Sequence, residues 1–503
     1  MRTIGGIMAM LLALTACTGG DGGSDSKAAE KKPSTSATPQ GPQRDTRPAT
    51  VAWTTDLDVI GQPLVTGTTA VVIARASGKR LEIVGVDTTT GLKRWSHPYS
   101  PGGGAPGILV EPVVSSTASG EARVVFYLAP DKPKGDDTDF VTPVVSVDPV
   151  TGDIERRTDK LLGVEPVGSC DDGTDVCVRG AVGGRGAYGN LRVDLGAGKV
   201  ATTRDGAPDK ARIIGTGGLF STNARPGEKL GVRLEGTTLW STPAATLFGE
   251  GYTSDNGWVF VHEKGPDRFT GLIGQPNKTV SPTRETKGPF VYDLAKQKIV
   301  SFSGKDGSVL WARDGADPCF KPTDFSDEAD LDVVEHPVRC LVSGSYSIKD
   351  EVVTTDAVTM KVEGYDPATG ETTWSHAMPD AAAATYWQQG PRPLVRGGKT
   401  IVAPLEDGPS SIDVATGAST PVGDDVFLCQ AQGPRFEYVT PWTNGQKRTT
   451  TRRGTGFVAP CSADGSATSM APTVAAVREG AVAVDDSTYV LSSKDGLVGY
   501  TVD

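Results

Sequence analysis

Histidine, aromatic residues and long apolar runs are all scarce in this chain of 503 residues. There are four His, and aromatics make up 6%. With so little His and no Cys-x-x-Cys pair, a structural zinc site is a poor reading. No Gly-x-Ser-x-Gly elbow, His-Glu-x-x-His helix or Walker loop occurs, which removes the common hydrolase, zinc-protease and nucleotide-binding signatures. Positive charge is also short. Lys and Arg number 50 against 61 Asp and Glu, a net charge of −11, which argues against a nucleic-acid-binding surface. Charged residues are 22%, too few for a disordered polyelectrolyte, and 37% hydrophobic residues suffice for a core. What is abundant is punctuation: 63 Gly and 35 Pro, without the period of collagen.

The first segment reads as an address. Arg2 precedes an apolar run from Ile4 to Leu14, too short for the ~20 residues of a membrane span. Leu14-Thr15-Ala16-Cys17 follows and resembles a bacterial lipobox. That resemblance implies that residues 1–16 are a signal peptide and that cleavage leaves Cys17 acylated, a lipid anchor on the extracytoplasmic side of the cell membrane. Residues 17–50 then read as the lipidated Cys and a disordered Gly-, Ser-, Thr- and Pro-rich tether, reaching on the order of 30 Å.

Residues 51–503 read as one all-β domain. Short β-rich runs such as Ala70-Val-Val-Ile-Ala alternate with turn clusters, and Ala381–Thr385 is the one helical scrap. One unit recurs: an apolar strand, an Asp, a Thr-Gly or Asp-Gly turn, and a strand often ending in Trp. Val86-Asp87-Thr-Thr-Thr-Gly91-Leu-Lys-Arg-Trp95 is the cleanest copy, matched by Tyr365-Asp366-Pro-Ala-Thr-Gly370-Glu-Thr-Thr-Trp374. The turns at Asp148–Gly152 and Asp413–Gly417 lose the Trp. Trp240 and Trp311 keep it with altered turns, and Asp194–Gly198 is the weakest copy. Asp in such a turn accepts backbone hydrogen bonds and Gly supplies positive φ, so these Asp residues are turn caps rather than acids or metal ligands. Trp is a flat anchor that can stack between sheets, and one sheet cannot bury both faces alone.

Each end of the domain carries half a copy: Thr50-Val51-Ala52-Trp53, and Val498-Gly-Tyr500-Thr-Val-Asp503. Joining them would complete a sheet and close a ring with no free edge. The count is eight units, ending near Asp87, Asp148, Asp194, Glu235, Ser303, Asp366, Asp413 and Asp503; the long fifth and eighth leave seven as an alternative.

The Asp-x-x-Thr-Gly-x-x-x-Trp unit resembles the repeats of the PQQ-like β-propeller superfamily. This superfamily includes quinoprotein alcohol dehydrogenases and the lipoprotein scaffold of the outer-membrane β-barrel assembly machine. The resemblance implies a propeller of four-stranded blades closed by the N-terminal strand. It does not choose between enzyme and scaffold. The quinoprotein enzymes use an adjacent Cys-Cys disulfide and a calcium site. This chain has no Cys-Cys pair and no assignable calcium ligands, so no cofactor is expected.

Seven cysteines is an odd number, and Cys17 takes the lipid. In an oxidising compartment the other six can pair. Several pairings are open. The expectation adopted is sequential: Cys170–Cys177 across an Asp-Gly hairpin, Cys319–Cys340 as a similar cross-strand staple, and Cys429–Cys461 in the long last unit. His97 and His376 each follow Trp-Ser at a repeat end and read as repeat furniture, not catalysts. The acidic stretches 131–139 and 324–332 lack the spacing of a calcium loop, and no metal is assigned.

Binding candidates lie outside the repeat. Tyr386-Trp387-Gln388-Gln389-Gly-Pro-Arg392 is a loop-like run of the residue types common in hot spots. Trp442, near Arg452 and Arg453, is a second candidate. The expected function is a non-catalytic binding or scaffold protein, monomeric, tethered at the envelope. Its ligand would be an envelope protein, or a glycan or peptide held by loops such as 386–392. A PQQ-dependent dehydrogenase is the enzymatic alternative.

Overall fold

A short polar turn closes on itself at one copy of the repeat after another. The computed structural model describes residues 44–502 apart from 102–110, 118, 130–141, 159–160, 164–167, 170–175, 183–188, 195–198, 203–210, 214–217, 223–226, 235–236, 254–257, 264–266, 278–289, 320–335, 350–351, 388–392, 394–398, 432–434, 442–446 and 454–456. In the first turn Asp87 Oδ1 accepts from the amides of Thr89 and Thr90 at 2.9 and 2.8 Å. Asp148 accepts from Val150 and Thr151, Asp366 from Ala368 and Thr369, and Asp413 from Thr416. In each, the Gly amide donates to the Asp carbonyl. The φ angles of Gly91, Gly152, Gly370 and Gly417 are 71°, 75°, 73° and 72°, a region Gly enters without steric cost. The Asp residues are turn caps, as their position predicts.

These turns join the last two strands of antiparallel sheets. Sheets of three or more strands are labelled I to VIII in chain order, and most have four, an arrangement consistent with propeller blades. Sheet I runs Val59–Thr66, Thr69–Ala76, Arg80–Asp87, Lys93–Tyr99, each strand beside the next. Its strand Thr69–Ala76 is buried at six consecutive residues. Alternate side chains serve alternate neighbours: Val71 and Ile73 pack with Phe126 and Val145 of sheet II, while Ala70 and Val72 pack with Val490 and Leu497 of sheet VIII. Stacked sheets therefore bury both faces, each Val or Ile contributing about 1.5–3 kcal/mol.

The two ends of the domain meet. Thr50–Thr54 pairs antiparallel with Gly496–Thr501, the last strand of sheet VIII. Trp53 faces Gly499 across this pair, as Trp95 faces Gly85 and Trp374 faces Gly364. This register puts Thr501 where the other copies have Asp. Asp503, read as the repeat Asp from sequence, lies outside the described residues.

The Trp residues lock one sheet to the next. Trp53 Nε1 donates to the Thr88 carbonyl at 2.8 Å, Trp95 to Pro149 at 2.9 Å, Trp240 to Gly304 at 2.7 Å, Trp311 to Pro367 at 3.0 Å and Trp374 to Val414 at 2.8 Å. Each indole also covers a turn glycine of that next sheet: Gly91, Gly152, Gly307, Gly370 and Gly417 in turn. His97 and His376 add a contact to the same turns, Nε2 lying 2.7 Å from the Gly152 carbonyl and 2.8 Å from that of Gly417.

Sheets V and VI exchange a strand. Phe290–Asp293 falls in the chain between two strands of sheet V, yet it pairs with Val338–Lys349 of sheet VI. The two-residue strand Ala316–Asp317 pairs with the same strand nearer its start. Cys319–Cys340 bridges there, with Cα atoms 5.5 Å apart. Beyond sheet VII, Phe427–Ala431 pairs with Phe457–Cys461, and Cys429–Cys461 joins that pair. Both bridges match the sequential expectation. Cys177 lies in the strand Val176–Val182, whereas its expected partner Cys170 is outside the described residues.

Residues 44–50, ahead of Val51, pack on the body. The Arg44 guanidinium donates to Glu479 at 2.8 and 2.6 Å and to Asp425 at 3.3 Å, and lies 4.7 Å from the Phe427 ring centroid. Ala49 is buried. Composition assigns residues 44–50 to the tether because it cannot see these partners. Cys17 and the rest of the leader lie outside the described residues. Among the described residues no helix is long and apolar enough to cross a membrane.

Candidate functional site

The strand exchange builds an aromatic cluster. Tyr292, on the exchanged strand, sits directly opposite Tyr346, and their rings stack with centroids 5.0 Å apart. The helix Asp380–Trp387 follows the last strand of sheet VI, starting just after Pro379, and packs back on that sheet. Its final two residues are Tyr386 and Trp387. Trp387 stacks on Tyr346 at 6.0 Å and 11°, and Tyr386 meets Trp387 edge-on at 6.2 Å.

This corrects the reading of Tyr386 and Trp387 as loop residues. The Ala-rich run 381–384 has high helix propensity. It carries the helix through both aromatics, and they join the sheet VI core instead of standing free. Gln388, Arg392 and Trp442 lie outside the described residues.

Burial governs the cluster's electrostatics. It pushes the Tyr346 hydroxyl up to about 12, and the negative Asp317 carboxylate adds to the shift. Burial raises Tyr292 as well, against the opposing Gln275 amide, which donates to its hydroxyl oxygen at 2.6 Å. Both phenols stay protonated through neutral pH. Asp317 accepts from Gln297 Nε2 at 3.0 Å. The Trp387 indole N–H is buried without a hydrogen-bond partner, an unused donor beside half-buried ring faces. Flat rings plus one free N–H can stack and donate. They supply no nucleophile and no general base at neutral pH.

Sequence reasoning missed Tyr292 and Tyr346. The alternation Ser345-Tyr-Ser-Ile signals a strand, but nothing local announces that Phe290–Asp293 crosses to it. It also missed two buried ion pairs, one within sheet VI and one within sheet V. Arg339, fully buried, pairs with Glu363 at 3.2 Å and donates to the Gly370 carbonyl and Thr372 hydroxyl at 3.0 Å each. Arg268 pairs with Glu263 at 2.5 Å. Burial pushes Tyr365 up to about 12, against the nearby Arg339 charge.

Other chemistry-bearing residues are scattered. His262 stacks on Phe269 at 4.5 Å and lies 3.2 Å from Asp267. Among the described residues no three His, Cys, Asp or Glu side chains converge as metal ligands would. An open groove of about 530 Å³, lined by Thr54–Leu57, Gly91–Lys93 and Asp495, marks the junction of sheets VIII and I.

No protein-family profile matches the sequence, and no curated protein matches it. Solved structures do match in part. A europium-containing methanol dehydrogenase matches over 80% of this chain and 84% of its own, at 12% identity and a TM-score of 0.36. The β-propeller domain of the trilobed protease from Pyrococcus furiosus matches over 78% and 97%, at 12% identity and 0.32. The periplasmic gluconolactonase PpgL of Pseudomonas aeruginosa matches over 80% and 99%, at 10% identity and 0.28. Likeness this weak carries no argument about activity.

Proposed function

We propose that this chain is a membrane-tethered extracytoplasmic β-propeller that binds a partner rather than catalysing a reaction. In this reading sheets I to VIII are eight blades, and the pairing of Thr50–Thr54 with Gly496–Thr501 closes the ring. The lipid on Cys17 anchors it, and the tether holds it just off the membrane.

One observation carries the binding reading. The residues that look chemical in sequence, the repeat Asp, Trp and His, are engaged in turn caps and inter-sheet contacts. Trp387 keeps one of the few unused buried donors among the described residues, and it does so in an aromatic cluster built by an exchanged strand and an appended helix. Such clusters suit a flat partner group: a peptide aromatic, a proline or a sugar face. An envelope protein is the first expected ligand, and a free glycan or peptide the second.

The test against the enzymatic alternative is direct. Purified protein is supplied with PQQ and calcium and assayed for quinone absorbance and alcohol oxidation. The binding reading expects neither. Turnover that depends on added PQQ would overturn it.

A further inference from the structure

Two carboxylates share one guanidinium beside the segment that leads into the first strand. Arg44 donates to Glu479 through both terminal nitrogens, at 2.8 and 2.6 Å, and to Asp425 through Nε at 3.3 Å. The guanidinium also lies over the Phe427 ring, 4.7 Å from its centroid. All three charged side chains are withdrawn from water: Arg44 is 9% exposed, Asp425 11% and Glu479 18%.

The backbones that carry these groups are tied together as well. At the start of the helix Val474–Gly480, the Val474 and Ala475 amides donate to the Arg47 and Asp45 carbonyls at 2.7 and 3.1 Å. The Ala49 amide donates to the Pro472 carbonyl at 2.8 Å, and the Thr473 amide to that of Val426, next to Asp425, at 3.0 Å. Residues 44–49 therefore sit on a helix and on the turn that follows sheet VII. They run straight into Thr50–Thr54, the strand that pairs with Gly496–Thr501.

Charge decides how this seat responds to acid. One cation against two anions leaves one negative charge in excess, in a place water barely reaches, and a buried charge without a partner is costly. One added proton makes the cluster neutral, with Arg44 still paired to the remaining carboxylate. Neighbouring charges leave that sum as it is. Asp45 and Arg47 pair with each other at 2.7 Å, Arg478 acts on Asp45, and Asp424 is exposed. Burial is the largest influence on Glu479 and pushes its carboxyl up; Arg44 opposes the rise, and the Asp425 charge adds to it.

We infer that the Arg44–Asp425–Glu479 cluster is a proton-operated latch, which takes up one proton in mildly acidic medium and then seats residues 44–50 more firmly on the body. The sign follows from linkage. A carboxyl raised in the folded state gives stability that is fully present below its unfolded value and lost as pH rises through the folded one. The latch is thus firm on the acid side and looser at neutral pH, opposite to a simple one-to-one salt bridge.

Hydrogen exchange of the whole protein at about pH 7 and about pH 5, divided by each amide's intrinsic rate, tests this. Protection of the Ala49, Val474 and Ala475 amides should rise several-fold at the lower pH. The central strand Thr69–Ala76 of sheet I, which reports opening of the body as a whole, should rise less. Glu479→Gln removes the proton-binding group and should remove the rise. Asp425→Asn should reverse it: one cation then faces one anion, acid leaves Arg44 unpaired, and protection should fall. The unaltered protein's own response decides the matter even where a variant fails to fold. Unchanged or falling protection in it, an equal rise in the sheet I strand, or a rise that survives either Glu479→Gln or Asp425→Asn would overturn the inference.

Discussion

Trp53 covers Gly91 across the junction of the first and last sheets. A Cβ on Gly91 would lie 2.7 Å from Trp53 Cε3, and Trp53 Nε1 donates to the Thr88 carbonyl. The same contact recurs between Trp95 and Gly152, Trp240 and Gly307, Trp311 and Gly370, and Trp374 and Gly417. The first and last sheets are thus joined by the device that joins consecutive sheets.

Trp53→Ala should therefore cost about 3–5 kcal/mol, the usual range for removing a buried Trp. Gly91→Ala should cost about 1–3 kcal/mol, from positive φ and from collision with the indole. The double variant should cost less than the two together, because the indole that the added methyl would strike is gone. Urea unfolding of the four proteins measures this, and strict additivity would show that the two residues act separately.

Acid should weaken the repeat turns. Burial opposes ionisation of Asp87, but the Arg94 guanidinium and the amides of Thr90 and Thr89 outweigh it and hold the carboxyl down at about 2. The Thr151 amide lowers Asp148, and the Thr369 amide lowers Asp366. A depressed folded pKa gives stability that is present above the unfolded value near 4 and lost as pH falls through the folded one. Stability should decline between about pH 4 and pH 2. Asp87→Asn, which keeps an acceptor without the charge, should flatten part of that slope. Denaturant midpoints across this window check it.

Removing Cys429–Cys461 should cost about 2–4 kcal/mol, since it closes a loop of sequence separation 32. Cys429→Ser/Cys461→Ser should melt lower in oxidising buffer, and adding a reductant should produce no further drop at this bridge.

Much of the fold was readable because its signals are local. Asp, Gly and Trp at fixed spacing report a turn cap, a positive φ and an anchor, and each was found in that role. The disulfide Cys319–Cys340 was expected because Cys340 opens its strand as Cys177 does, and Cys429–Cys461 was expected as the pair left over; both are present. What escaped depends on contacts distant in sequence. Phe290–Asp293 looks like one more strand of its own unit until it pairs with Ser345–Ile348. Arg44 looks like tether until it meets Glu479, 435 residues away. Tyr386 and Trp387 were selected for residue type and then misplaced, because a helix that packs on sheet VI and a polar loop share the same short string.

The anchor has its own test. Cys17→Ala should move the protein from the membrane fraction to the soluble exported fraction, and retention in the membrane would defeat the lipidation reading.

The binding reading turns on the Trp387 cluster. The most direct measurement places a photo-crosslinking phenylalanine at Tyr386 in the full lipidated chain, irradiates intact membranes, and repeats this with the probe at Leu239, exposed on sheet IV. The account predicts a discrete adduct from position 386, absent from position 239 and lost when Trp387→Ala is added. The same adduct pattern from both positions, or an adduct at 386 that survives Trp387→Ala, would contradict it.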